Sequence, residues 1–287
     1  MKTKLTLWAS MLALLAVAGV ASAKGVSEDS LNKLLTLSGI EKQVKSLPEA
    51  MKAGVEQAKA RAAQQPGSKL SAQDFDDIEA ALGNSFQPDA LLKSTGDAIR
   101  KKVSEADAKQ LIAWYQSDLG KKITQAELDA SSPSAQQDMM AHAQELMADK
   151  PRVAFARKLG KMLHATDDAL KFREDGALAM YSAMSAKMKP GQPVDIKAFK
   201  ARLDGALNQA RPNIDAVVTL GYVYAYRNID MASLKKYGKF QERPATRRFN
   251  DGTRAGLTAG LEQAISKVSD NIAAGAPHSQ GSATSGK

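Results

Sequence analysis

The chain has 287 residues, no cysteine, and 40 Lys and Arg against 31 Asp and Glu, a formal net charge of +9. Without cysteine there are no disulfides and no lipid anchor on an N-terminal cysteine, so an exported chain of this kind must be held together by its core. Aromatic residues make up only 5%, and the abundance of Ala, Lys, Leu and Met favours helices over sheets.

In chain order, "MKTK" is a basic start, "LTLWASMLALLAVAGV" an apolar run, and Ala21-Ser22-Ala23 an A-x-A cleavage signal. Residues 1–23 read as a secretory signal peptide, which predicts a bacterial periplasmic protein. No later stretch has the apolar length of a membrane span. About 260 residues follow, enough for one large or two ordinary domains. Helical periodicity then dominates. "SEDSLNKLLTLSGIEKQVKSL" puts Leu31, Leu34, Leu35, Ile40 and Val44 near one face, with Ser27 as N-cap. "AMKAGVEQAKARAA" continues as helix until "QQPGSK" breaks it. Ser71 with Asp74 opens a short helix, and "PDALLKSTGDAIRKKV" is the next. Ser104 and Asp107 form a capping-box pattern ahead of "EADAKQLIAWYQS". Ser132-Pro133 stands in N-cap and N1 order, and Asp149-Lys150-Pro151 marks a boundary.

The second half shows a similar plan. "RVAFARKLGKMLHATDDALKF" and "DGALAMYSAMSAKM" are predicted helices, the latter ended by Pro190-Gly191-Gln192-Pro193. "DIKAFKARLDGALNQA", "PNIDAVVTLGYVYAYRN" and "DMASLKKYGKFQ" follow, and a last helix is predicted from about Asn250 to Asn271. Residues 274–287 are small and polar and read as a disordered tail. "KLLTLSG" from Lys33 sits opposite "KMLHATD" from Lys161, an offset of 128 residues. "AWYQSDLGKKI" sits opposite "GKFQERPATRRF", with Tyr115-Gln116 against Phe240-Gln241, an offset of 125. The expected architecture is all-α: two related antiparallel bundles from an internal duplication, residues 24–150 and 151–273.

The segment Trp114-Tyr115-Gln116-Ser117-Asp118-Leu119-Gly120-Lys121-Lys122, with the "LLTLSG" helix and Gln43, resembles an exported bacterial family of unknown function, number two thousand and fifty-nine. The motif residues are Trp114, Tyr115, Ser117, Gly120 and Lys122; the proline that the family pattern expects after the serine is Asp118 here. The resemblance spans residues 28–150 and extends more thinly over 155–272. It implies an all-helical exported domain and carries no activity with it.

Chemical motifs are sparse. Ser30-x-x-Lys33, Ser233-x-x-Lys236 and Ser269-Asp270-Asn271 match pieces of acyl-serine enzymes, but no K-T-G accompanies them. "GSATSGK" at Gly281–Lys287 lacks the Ser or Thr and the helix of a phosphate loop. Asp138, His142 and Glu145 fall at i, i+4 and i+7, a possible three-ligand metal face, against the alternative of an ordinary polar face. Met180, Met184 and Met188 form a stripe that suits copper(I) or, more commonly, core filling. Lys235, Lys236, Lys239, Arg243, Arg247 and Arg248 form a basic patch suited to acidic envelope components or another periplasmic protein. Nucleic acid is not expected, because no recognition module or aromatic interleaving is present. With no dyad, triad or cofactor loop, the expected function is a non-catalytic binding or envelope-associated interaction module without a cofactor. The alternative is a metal-binding protein or metal-dependent enzyme.

Overall fold

A computed structural model describes residues 25–64, 70–188, 192 and 194–275. The signal segment 1–23, most of the "QQPGSK" and Pro190–Pro193 breaks, and the tail beyond Gly275 lie outside the described residues. Every regular element described is a helix; the one bridge pairs Gly25 with Ser104. The order is α1 Glu28–Leu37, α2 Ile40–Lys45, α3 Leu47–Ala63, α4 Ala72–Ser85, α5 Pro88–Lys102, α6 Glu105–Gln116 and α7 Asp118–Ala130. Then come α8 Pro133–Ala141, α9 Ala143–Leu146, α10 Lys150–Met162, α11 Ala165–Met188, α12 Ile196–Ala225, α13 Met231–Gln241 and α14 Pro244–Gly275. No helix among the described residues is long and apolar enough to cross a membrane.

Local chemistry sets most helix starts. Ser71 and Ser104 each cap the N–H three residues on, and Asp74 and Asp107 return the bond to complete capping boxes. Ser132 caps α8 with Pro133 in the first turn. Two breaks interrupt stretches that read as continuous helices. Gly39 (φ 80°) separates α1 from α2, and His164 (φ 56°) separates α10 from α11. The left-handed conformation suits glycine but strains a residue with a Cβ. In three places the expected break is absent or displaced, the first being the one expected between Phe172 and Asp175, through which α11 runs unbroken. Pro212 lies inside α12, which runs through the two predicted helices as one and is held by packing on α10 and α11. The last helix starts at Pro244, six residues before Asn250, because proline is well tolerated in the first helical turn.

The two halves do not bury separate cores. The largest cluster joins Leu34, Leu91, Ile99, Leu111 and Ile123 to Leu159, Tyr226, Leu234, Phe240 and Phe249. A second joins Val55, Phe75 and Ile78 to Leu178, Ala183, Ile265 and Val268. The packing is reciprocal. From the second half α14 lies along α5 of the first, and from the first half α7 packs against α12 of the second. The α5–α14 contact is the most extensive in the molecule. Gly252, Gly256 and Gly260 recur every fourth residue on α14 and meet Ile99, Thr95 and Leu91 of α5. A Cβ at Gly256 would sit 2.4 Å from the Thr95 Cα, so the two backbones touch where only glycine fits.

Candidate functional site

The aromatic motif lies where the halves meet. Trp114 stacks on Phe240 with centroids 4.3 Å apart, and Tyr115 meets Phe240 edge-on at 5.8 Å. The motif and the similar segment around Phe240 are therefore in contact. Ser117 shapes the α6–α7 turn: its hydroxyl donates to the Trp114 carbonyl (2.6 Å) and accepts from the Gly120 N–H (3.1 Å). A Cβ at Gly120 would fall 2.0 Å from the Trp114 oxygen, so glycine is required by close approach. Lys121 and Lys122 face solvent. The motif is thus a packing joint, and its Tyr115 also lines a cavity.

That cavity has a volume of about 530 Å³ and lies among α2, α6, α7, α11, α12, α13 and α14. Tyr115, Tyr222 and Tyr237 line it together with Ile40, Leu163, Leu257 and Leu261. Glu127 of α7 projects into this aromatic surround. Its Oε1 accepts from the hydroxyls of Tyr226 (2.5 Å) and Tyr237 (2.7 Å). Among the described residues its Oε2 receives no hydrogen bond, and Glu127 lines the cavity. Burial pushes the Glu127 carboxyl above its ordinary range, against the opposing pull of the two tyrosine hydrogen bonds. Burial also raises the phenols of Tyr115, Tyr222, Tyr226 and Tyr237, which keeps them protonated at neutral pH.

The polar part of the lining is internally paired. Arg254 binds Asp168 (2.8 Å) and donates to the Leu163 carbonyl (2.7 Å). Lys171 binds Asp175 (2.5 Å), whose other oxygen, Oδ2, is buried without a hydrogen-bond partner. Burial raises the carboxyls of Asp168 and Asp175, opposed in each case by the neighbouring cation. Thr253 Oγ1, also in the lining residues, is buried and unpartnered. The arrangement offers hydrogen-bond acceptors, neutral phenols and apolar walls. Neither serine of the Ser-x-x-Lys matches lines the cavity: the Ser30 hydroxyl donates to Glu105 (2.6 Å), and the Ser233 N–H donates to Asp230 at the start of α13.

The metal face is corrected by the structure. Asp138 and His142 do not share a continuous helix with Glu145, because α8 ends at Ala141 and His142 lies between α8 and α9. His142 Nδ1 lies 2.9 Å from the Asp138 carbonyl, and Tyr224 OH donates to Asp138 (2.8 Å). No group of three or more His, Asp or Glu among the described residues is placed to hold a metal ion. Met180 and Met184 pack on the second core, while Met188 is exposed.

The basic patch is also divided. Arg248 is engaged in two bonds to Asp107, at 2.6 and 3.0 Å, and clamps α14 to the start of α6. Lys235, Lys236, Lys239, Arg243 and Arg247 are exposed, and none forms an ion pair with another described residue. Sequence reasoning missed Glu127. Its position is unusual locally, because Ile123, Glu127 and Ala130 fall at i, i+4 and i+7, placing a carboxylate in an apolar stripe. The tyrosines that surround it come from α12 and α13, about 100 residues away.

Residues 90–149 match the model of a family described as an uncharacterized protein conserved in bacteria (DUF2059). The matched segment runs from within α5 to α9 and includes the aromatic joint and Glu127. No curated protein and no solved structure matches the chain.

Proposed function

We propose that this is a non-catalytic binding module of the bacterial periplasm, exported by its first 23 residues, that takes a small, partly apolar ligand into the cavity at the joint between its halves. The observation that carries the reading is Glu127: a half-buried carboxyl among tyrosines and leucines in the cavity lining, with one oxygen held by two phenols and the other without a hydrogen bond from the described residues. Such an arrangement is costly for folding alone, since a buried carboxyl gains nothing from an empty side. A concave, mostly apolar site with a few convergent polar groups is the usual form of a small-molecule pocket.

Duplication is part of the same proposal. The two left-handed breaks, Gly39 and His164, are 125 residues apart, and so are the last residues of α6 and α13, Gln116 and Gln241. Pro88 at the start of α5 and Pro212 within α12 are 124 apart. A duplicated unit whose copies exchanged their final helices accounts for these offsets, for the shared cores, and for a cavity built from both copies.

The test is binding of Nile red, a neutral apolar dye that brightens on leaving water. The folded protein is expected to enhance its emission at micromolar concentration. Leu257→Trp, which fills the cavity from α14, is expected to weaken this at least fivefold while retaining a cooperative melt. No enhancement, or enhancement untouched by L257W, would contradict the reading.

A further inference from the structure

We infer that the cavity selects a ligand bearing a primary ammonium group on an apolar body, with the ammonium seated against Glu127 Oε2. The inference rests on the cavity being a ligand site, and adds the chemical class. Three carboxyl groups line the cavity, those of Glu127, Asp168 and Asp175, against two cations, Lys171 and Arg254. Both cations are already engaged, Lys171 with Asp175 and Arg254 with Asp168 and the Leu163 carbonyl. An anionic ligand therefore finds no free cation in the lining. A cationic ligand finds Glu127 Oε2, which receives no hydrogen bond from the described residues.

Asp175 is an independent sign. Its residue is 2% exposed, it lines the same cavity from α11, and its Oδ2 is left unpartnered. That oxygen is enclosed, so it adds negative potential behind the lining and makes no direct contact with a ligand. An ammonium supplies three N–H donors and no acceptor, which matches a site with surplus acceptors better than a hydroxyl with its single donor. Tyr115 and Tyr222 line the same cavity, and their phenols can accept as well as donate. Leu163, Leu257 and Leu261 provide the apolar surface for the body.

The experiment compares n-octylamine, n-octanol and octanoate by calorimetry on the purified protein, on Glu127→Gln and on Asp175→Asn. Octylamine is expected to bind at least tenfold tighter than octanol and octanoate. E127Q keeps the shape and both tyrosine bonds, and is expected to weaken octylamine tenfold or more without changing octanol. D175N, on a separate helix, is expected to weaken octylamine by about threefold, and it carries the test if E127Q does not fold. Equal binding of all three probes leaves the cavity a ligand site and overturns the ammonium selection. Octylamine binding unchanged in both variants overturns it as well. Absence of binding by all three probes overturns this inference and the cavity reading together.

Discussion

Gly256→Ala is expected to destabilise the protein by about 3 kcal/mol, the upper end of what overpacking a core costs. The added Cβ would lie 2.4 Å from the Thr95 Cα and 2.7 Å from the Ser94 carbonyl oxygen. These are backbone atoms of α5, so no side chain can rotate away and the helices must part. Separation loosens the most extensive helix contact in the molecule. Elsewhere the same substitution has the opposite sign. Gly54 and Gly83 lie in α3 and α4 with nothing within 4 Å of the position a Cβ would take. There alanine is expected to stabilise by about 0.5–1 kcal/mol, through helix propensity and a less flexible unfolded chain. Thermal denaturation of the three variants checks the prediction, with the Gly256 variant melting roughly 6–12 °C lower.

Phe240→Ala is expected to cost about 4 kcal/mol, near the middle of the range for truncating a buried aromatic residue. Phe240 is 1% exposed and is sandwiched by Trp114 and Tyr115 across the joint. Its loss removes buried area and two aromatic pairs, each worth about 0.5–1.5 kcal/mol beyond that area. Phe172→Ala serves as the reference: Phe172 lies in the cavity lining but is 51% exposed, and a change there should fall within about 0.5 kcal/mol. Urea denaturation of the two variants separates the joint from the rim. Equal stability would remove the joint from the account of how the halves are held together.

The sequence exposed the parts of this fold that are decided locally. The caps at Ser71, Ser104 and Ser132 need only a hydroxyl and the following residues, and each is present. The all-helical class follows from periodicity in the same way. Tertiary contacts decided the rest. Pro212 looks like a helix end, but α12 continues through it because neighbours on α10 and α11 hold both sides. His164 breaks a helix with no glycine to announce it. The aromatic steps at Trp114 and at Phe240 were legible as similar segments. That they would stack on each other was not, because the contact joins α6 to α13 across more than a hundred residues of chain. The site was the least legible. Glu127 becomes notable only when Tyr226 and Tyr237 reach it from the far half. The metal face at Asp138, His142 and Glu145 failed for the converse reason, since its spacing assumed a helix that ends at Ala141.

The arrangement also assigns separate roles to the charged residues. Arg248 serves structure through Asp107, whereas Lys235, Lys236, Lys239, Arg243 and Arg247 remain on the outer face of the α13–α14 elbow. None of the five lines the cavity. The measurement that bears most directly on the account is therefore the location of a bound ligand. In an amide nitrogen–proton NMR titration of the isotope-labelled protein with octylamine, the account predicts saturable shifts gathered around Tyr115, Glu127, Asp175, Tyr222 and Tyr237. Shifts confined to the outer basic stripe, or no saturable shifts at all, would contradict it.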